Sequence, residues 1–293
     1  MEKYHGFFPA LISPFDEKGK LMTENLEDIL DFLINVQKVD GLYVTGSTGE
    51  FLLMSVEERE KIYEIVVKKA KNKVTLIAQI GSLNLEEAIK LGKTAKKLGF
   101  DAISAITPFY YNFSFDEIKN YYEEIAKKVD LPMFIYYLPQ LAGSKINIEQ
   151  FGSILNLKNV IGCKFGSNDI FLFERLIKTY PEKIWMYAFD EAFGLAYLLG
   201  ARGFIGSTYN TNAIKARKII NLAKKGDFLA FKNEIHIYND YIQSLLEVGL
   251  MQTIKEIMKL YDVDAGYNRL PFKKINQEKL KKKALEIKEK FLD

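Results

Sequence analysis

The chain has 293 residues, 41 basic against 38 acidic side chains for a net charge of +3, and 48% hydrophobic and 27% charged residues. That balance excludes a disordered or collagen-like chain and gives no general attraction to nucleic acid or to an anionic membrane. One cysteine, Cys163, excludes an intrachain disulfide, and two histidines, His5 and His236, leave almost no supply for a His/Cys zinc site or a catalytic histidine. No apolar run approaches the roughly 20 residues of a membrane helix. The first residues, MEKYHGFFPALISPFDEKGK, lack the basic start, apolar stretch and cleavage site of a signal peptide. The reading is a cytoplasmic enzyme or binding protein.

Short apolar runs alternate with helical patterns along the chain, the signature of a parallel sheet with crossover helices. The expected strands are Phe7–Ile12, Gly41–Thr45, Val74–Ile80, Ala102–Ile106, Met133–Tyr137, Ile161–Lys164, Trp185–Tyr187 and Gly203–Ile205. The clearest helix is Val56–Ala70. Ser55 stands at its N-cap with Glu58 three residues on, a capping box, and Ile62, Ile65 and Val66 repeat at helical spacing. Leu85–Leu98, Phe115–Val129, Ile170–Tyr180 and Ala192–Leu199 follow the same pattern. Eight strand-helix units predict a (β/α)₈ barrel over residues 1–223. An open doubly wound sheet is disfavoured because SPFDEKGK after the first strand carries no dinucleotide fingerprint. Beyond about Ala223 the strand signals stop, and Phe228–Leu246, Gln252–Tyr261 and Gln277–Phe291 predict a C-terminal helical extension over 224–293.

In such a barrel the strand C-terminal ends form the active face. Lys164 ends the apolar run Val160–Cys163, whereas most lysines here lie on polar helix faces. Desolvation lowers a lysine pKa and makes a nucleophile able to form an imine with a ketone; the plainer reading is a lysine that snorkels from a strand end. Gly46-Ser47-Thr48-Gly49 offers backbone N–H groups and two hydroxyls, suited to a carboxylate or phosphate but equally to an ordinary turn. Of Tyr136 and Tyr137, only one can enter the barrel. Asp190 and Glu191 fit a metal pair, an acid-base pair, a helix N-terminus or, best for two rim carboxylates, polyol binding; too few further ligands lie nearby for a divalent metal. The lysine-rich tail, Lys273–Lys290, reads as a solvated helix face.

Together these segments resemble the pyruvate-dependent class I aldolases that include N-acetylneuraminate lyase and dihydrodipicolinate synthase. The resemblance runs from GFFPAL at Gly6–Leu11 through GLYVTGSTGE at Gly41–Glu50, TPFYYNFSF at Thr107–Phe115, IYYLP at Ile135–Pro139 and GCKF at Gly162–Phe165. It implies that Lys164 is the Schiff-base lysine and Tyr136 the proton-relay tyrosine. Ser47 and Thr48 would hold the pyruvyl carboxylate, with the Ser47 hydroxyl also in the relay. Tyr110 would reach across a dimer interface into a neighbour's site, which implies a homotetramer.

The synthases carry an arginine five residues after the relay tyrosine, and here that position is Leu141. AFDEAF at Ala188–Phe193 and IGSTYN at Ile205–Asn210 look like the lyase branch, so Asp190, Glu191 and Ser207 would hold sugar hydroxyls, with Gly166 and Ala188 lining the same rim. Lyases commonly have Thr at 166 and Gly at 188. Ser167 stands next to Gly166 to supply a hydroxyl. The implied reaction is reversible cleavage of sialic acid to N-acetylmannosamine and pyruvate, with no metal or cofactor. Other readings are a 2-keto-3-deoxy sugar acid aldolase, dihydrodipicolinate synthase, or a non-enzymatic sensor of pyruvate or sialic acid.

Overall fold

The computed structural model describes residues 2–292. Among them eight strands, β1 (Gly6–Pro9), β2 (Gly41–Val44), β3 (Thr75–Gln79), β4 (Ala102–Ile106), β5 (Met133–Tyr137), β6 (Val160–Phe165), β7 (Ile184–Tyr187) and β8 (Gly203–Gly206), pair in parallel in the order β1-β8-β7-β6-β5-β4-β3-β2. The ring closes between the ends of that order, where Ala10 bridges Tyr43 and the Leu11 N–H donates to the Tyr43 carbonyl at 2.9 Å. This is the expected (β/α)₈ barrel. β1 is shorter than its apolar run, because past Pro9 the chain splits its hydrogen bonds between β8 and β2.

The helices follow where apolar period and caps agree. α1 spans Thr23–Asp31 and continues as a π-helical turn over Phe32–Val36. α2 (Val56–Ala70) opens on the expected Ser55–Glu58 box, with both reciprocal hydrogen bonds formed. α3 (Leu85–Leu98) and α4 (Phe115–Lys128) are capped by Asn84 and Ser114. Each such cap is worth about 1 kcal/mol. α5 (Pro139–Ala142) is one turn, α6 (Ile148–Leu155) carries an Asn147–Gln150 capping box, and α7 (Ile170–Thr179) and α8 (Phe193–Leu199) stand as expected, the latter after a 3₁₀ turn over Asp190–Ala192. α9 (Tyr209–Lys224) is kinked at Asn212. α10 (Phe228–Leu246), α11 (Leu250–Lys259) and α12 (Gln277–Ile287) complete the chain, the last running into a π turn over Lys288–Leu292.

Two apolar layers result. Phe8, Tyr43, Ile77, Phe134, Tyr136, Met186 and Ile205 fill the barrel, while the alternate strand positions, among them Ile135, Tyr137, Cys163 and Phe165, pack outward against the helices. Period-two alternation therefore sends Tyr136 and Lys164 inward and Tyr137 and Cys163 outward. Gly162 lets β6 lie close to β7, since a Cβ there would run into the Ile184 backbone. Two residues on, Lys164 stands in register with Tyr136 on β5 and Met186 on β7.

Candidate active site

Lys164 is 5% exposed, and its Nζ lies 3.3 Å from the centroid of the Tyr136 ring and 5.0 Å from that of Tyr43. Both rings belong to neighbouring inward positions and enclose the amine in a largely apolar sleeve. Burial lowers the Lys164 pKa below 10.5, against the pull of Tyr136 and, more weakly, of Asp190. The plainer reading, a lysine extending into solvent, is thereby set aside. Tyr43 stands edge-on to Tyr136 and donates to Ser104 Oγ at 3.1 Å; burial drives its pKa well above 10 and keeps it a donor. The outward Cys163 thiol is buried too, and its pKa is pushed up, so it stays protonated.

The Gly46–Glu50 turn follows β2 and crosses the barrel mouth. It is folded by backbone bonds from Gly49 and Phe51 to the Gly46 carbonyl and from Glu50 to that of Ser47. Thr45 and Glu50, which flank it, hold positive φ angles of 53° and 64°, a conformation that disfavours residues with a Cβ. Ser47 is exposed, whereas Thr48 is buried and its hydroxyl lies 2.7 Å from that of Ser207 beyond β8. The turn and the last strand-helix loop thus meet on one side of the mouth.

Asp190 occupies the wall between β7 and β8. Its Oδ2 accepts from the Thr208 N–H at 2.8 Å and the Thr208 hydroxyl at 2.7 Å, and that hydroxyl also pairs with Tyr238 on α10 at 3.0 Å. Oδ1 is buried with no hydrogen-bond partner among the described residues. Gly206 makes the cradle, since a Cβ there would overlap Oδ1. Burial raises the Asp190 pKa to about 6. Glu191 next to it is exposed.

Gly166 and Ala188 face each other at the ends of β6 and β7. A Cβ on Gly166 would stand 2.9 Å from Leu138 Cδ1 and 3.5 Å from the Ala188 Cβ, so the two positions share one small space. The Ser167 hydroxyl accepts from the Asp169 N–H at 3.2 Å ahead of α7, and is engaged there. Leu141 lies on α5, 66% exposed.

The fold thus gathers Lys164, Tyr136, Thr48, Asp190, Ser207, Gly166 and Ala188 around one mouth, with Ser47 and Glu191 exposed on its loops. Tyr110 differs: at φ 74° and 84% exposure it points away from the chain, against Tyr111. Tyr43 and Thr208 carried no expected role, although Thr208 lies in the Gly206–Thr208 segment expected at the active face. Tyr43 is two positions before Thr45 in GLYVTGSTGE, where strand alternation marks an inward side chain; Thr208 follows Ser207 directly. Among the described residues no group of three or more His, Cys, Asp or Glu is placed to hold a metal ion, and no helix is long and apolar enough to cross a membrane.

A model of the dihydrodipicolinate synthetase family matches residues 3–290. The chain belongs to that family. A relative from Haemophilus influenzae, described as N-acetylneuraminate lyase, is 45% identical over 292 residues, covering 100% of both chains. The crystal structure of N-acetylneuraminate lyase from Mycoplasma synoviae superposes with a TM-score of 0.96 at 52% identity and covers 99% of each chain. A Fusobacterium nucleatum N-acetylneuraminate lyase complexed with pyruvate superposes at 0.94 and 44% identity, over 100% of this chain and 98% of that one. The family's barrel is therefore shared end to end.

Proposed function

We propose that the protein is an N-acetylneuraminate lyase that cleaves sialic acid reversibly to N-acetylmannosamine and pyruvate through an imine on Lys164. The observation that carries the reading is the buried Lys164 amine against Tyr136, in a chain whose full-length relatives bear that enzyme's name. In its neutral form Lys164 attacks the C2 ketone of the open-chain sugar, and loss of water, with a proton given to the departing hydroxyl by Tyr136, gives the protonated imine. Tyr136, relayed through Ser47 and the neighbour's Tyr110, takes the proton of the C4 hydroxyl. The C3–C4 bond breaks, its electrons pass into the imine as an enamine, and N-acetylmannosamine leaves as the aldehyde. Protonation of C3 and hydrolysis return pyruvate and the free amine. The imine is itself the electron sink, so the chemistry calls for no cofactor.

Ser47, Thr48 and the turn's backbone N–H groups hold the carboxylate. Asp190 offers an unpartnered oxygen to a sugar hydroxyl, with Glu191, Ser207 and the Gly166 and Ala188 backbone beside it. A neutral polyol is served by such acceptors, and Leu141 offers no cationic clamp for a second carboxylate. The exposed Tyr110, Tyr111, Leu52 and Leu83 favour a homotetramer in which Tyr110 enters a neighbouring site. The single unpaired Cys163 fits the cytoplasm.

The second reading, a 2-keto-3-deoxy sugar acid aldolase, draws on Gly166, which puts no hydroxyl on the sugar side. Coupled detection of pyruvate released from N-acetylneuraminate, beside 2-keto-3-deoxy acids, separates the two. Release from N-acetylneuraminate alone is expected. Release only from the keto-deoxy acids would overturn the first reading.

A further inference from the structure

The Gly46–Glu50 turn is fixed from a part of the chain 205 residues away. The Glu50 carboxylate is fully buried, and Lys255 of α11 meets its Oε1 at 3.1 Å with its own side chain 2% exposed. All three protons of that ammonium are used, the other two going to the carbonyls of Ser13 at 2.8 Å and Tyr267 at 2.6 Å. The Asn268 amide donates to Oε1 at 2.6 Å and the Arg269 N–H to Oε2 at 2.8 Å. The Arg269 side chain continues the joint: it pairs with Glu58 at the head of α2, donates to the Leu53 and Gly19 carbonyls, and lies 4.0 Å from the Phe15 ring centroid.

A buried ion pair contributes little net stability, because desolvation offsets the attraction. It does fix geometry, since a carboxylate held by three directed contacts, one of them from an ammonium, has one position. The turn needs such fixing. Thr45 and Glu50 both hold left-handed backbone angles, which persist only where the surroundings over-determine them. Ser47 and Thr48 lie between those two residues, and on the Ser47 side the turn is held, among the described residues, by its own backbone bonds and the Thr48–Ser207 contact.

We propose that Glu50 and Lys255 are positioning residues that set the carboxylate-holding turn, which makes α11 and the Tyr267–Arg269 segment part of the active site and not an appended layer. The inference rests on the proposed role of Ser47 and Thr48. It adds that the grip on the pyruvyl carboxylate is determined from α11 and the Tyr267–Arg269 segment, whereas the sugar side is braced separately, by α10 through Tyr238 and Thr208.

The test uses pyruvate itself, trapped on the full-length protein by borohydride, together with half-saturation for pyruvate and for N-acetylmannosamine in the condensation direction. Removing one partner alone leaves the other buried without a counter-charge, so the main variant is the double Glu50→Gln/Lys255→Met, checked by its melting temperature. Asn268→Ala is the milder companion, which removes one donor to Glu50 and leaves the ion pair. The expected result is a pyruvate half-saturation at least tenfold higher in the double variant and about threefold higher in Asn268→Ala, with N-acetylmannosamine half-saturation within twofold of wild type. Unchanged pyruvate half-saturation in both variants overturns the proposal, as does a parallel loss for both substrates. A wild-type chain that forms no adduct at all instead removes the imine reading on which the proposal stands.

Discussion

Replacing Asp190 with Asn separates stability from activity at one buried carboxylate. Burial raises the Asp190 pKa from 3.8 to about 6, although Thr208 donates twice to Oδ2. The folded chain therefore holds this proton more tightly than the unfolded chain does. Stability falls as pH rises from about 4 to about 6, and the whole cost persists above that window. At about 1.4 kcal/mol per pKa unit, the charged carboxylate costs the fold about 3 kcal/mol at pH 7. The amide of Asn retains an acceptor for Thr208 and removes the charge, so Asp190→Asn is expected to stabilise the protein by about 1–3 kcal/mol at pH 8. Melting temperature should rise by about 2–4 °C for each kcal/mol, and the gain should vanish near pH 4. The same variant should raise KM for N-acetylneuraminate at least tenfold while trapped pyruvate saturates as in wild type. Melts at pH 4, 6 and 8 supply the assay. A variant less stable than wild type at pH 8, or a gap that does not change with pH, would refute the burial argument.

The remaining predictions concern the amine and its neighbours. Lys164→Met should abolish turnover and adduct formation and should melt above wild type; because burial lowers the lysine pKa, that advantage should shrink as pH rises toward 10.5. Melts in a pH series and a turnover assay check both halves. Tyr136→Phe should lower kcat about 10²–10³-fold, in the range of a lost proton-transfer group, yet still give a borohydride adduct with pyruvate. Ser207→Ala should raise KM for N-acetylneuraminate about tenfold and half-saturation for pyruvate by a smaller factor, since the lost hydroxyl serves the sugar side and also pairs with Thr48 at 2.7 Å; steady-state kinetics in both directions check this, and a pyruvate effect as large as the sugar effect would contradict it.

The barrel was legible because each buried strand is a short run of apolar residues and the clearest helices carry explicit caps. The Ser55–Glu58 box places α2 at its observed first residue. α9 was not legible: it opens on the polar Tyr209-Asn210-Thr211-Asn212 and is kinked at Asn212, so no apolar period announces it. α6 is short and has Gly152 near its centre, and α1 hides its period behind a π turn. Lys164 stood out because it ends an apolar run, whereas alternation said only that one of Tyr136 and Tyr137 enters the barrel, and the family resemblance singled out Tyr136. Asp190 could not, since four readings fitted the residue until Thr208 and Gly206 fixed its orientation. Lys255 was the hardest, one lysine among many on a tail of helices. Only packing against Ser13, Glu50 and Tyr267 distinguishes it from the solvated lysines that follow.

The central claim is that Lys164 forms an imine with pyruvate. The measurement is borohydride reduction of the protein with pyruvate, followed by peptide mass mapping of wild type and Lys164→Ala. The account predicts one reduced pyruvyl adduct, on the peptide containing Lys164, in the wild type alone. An adduct on another lysine, or pyruvate release from N-acetylneuraminate that survives in Lys164→Ala, would contradict it.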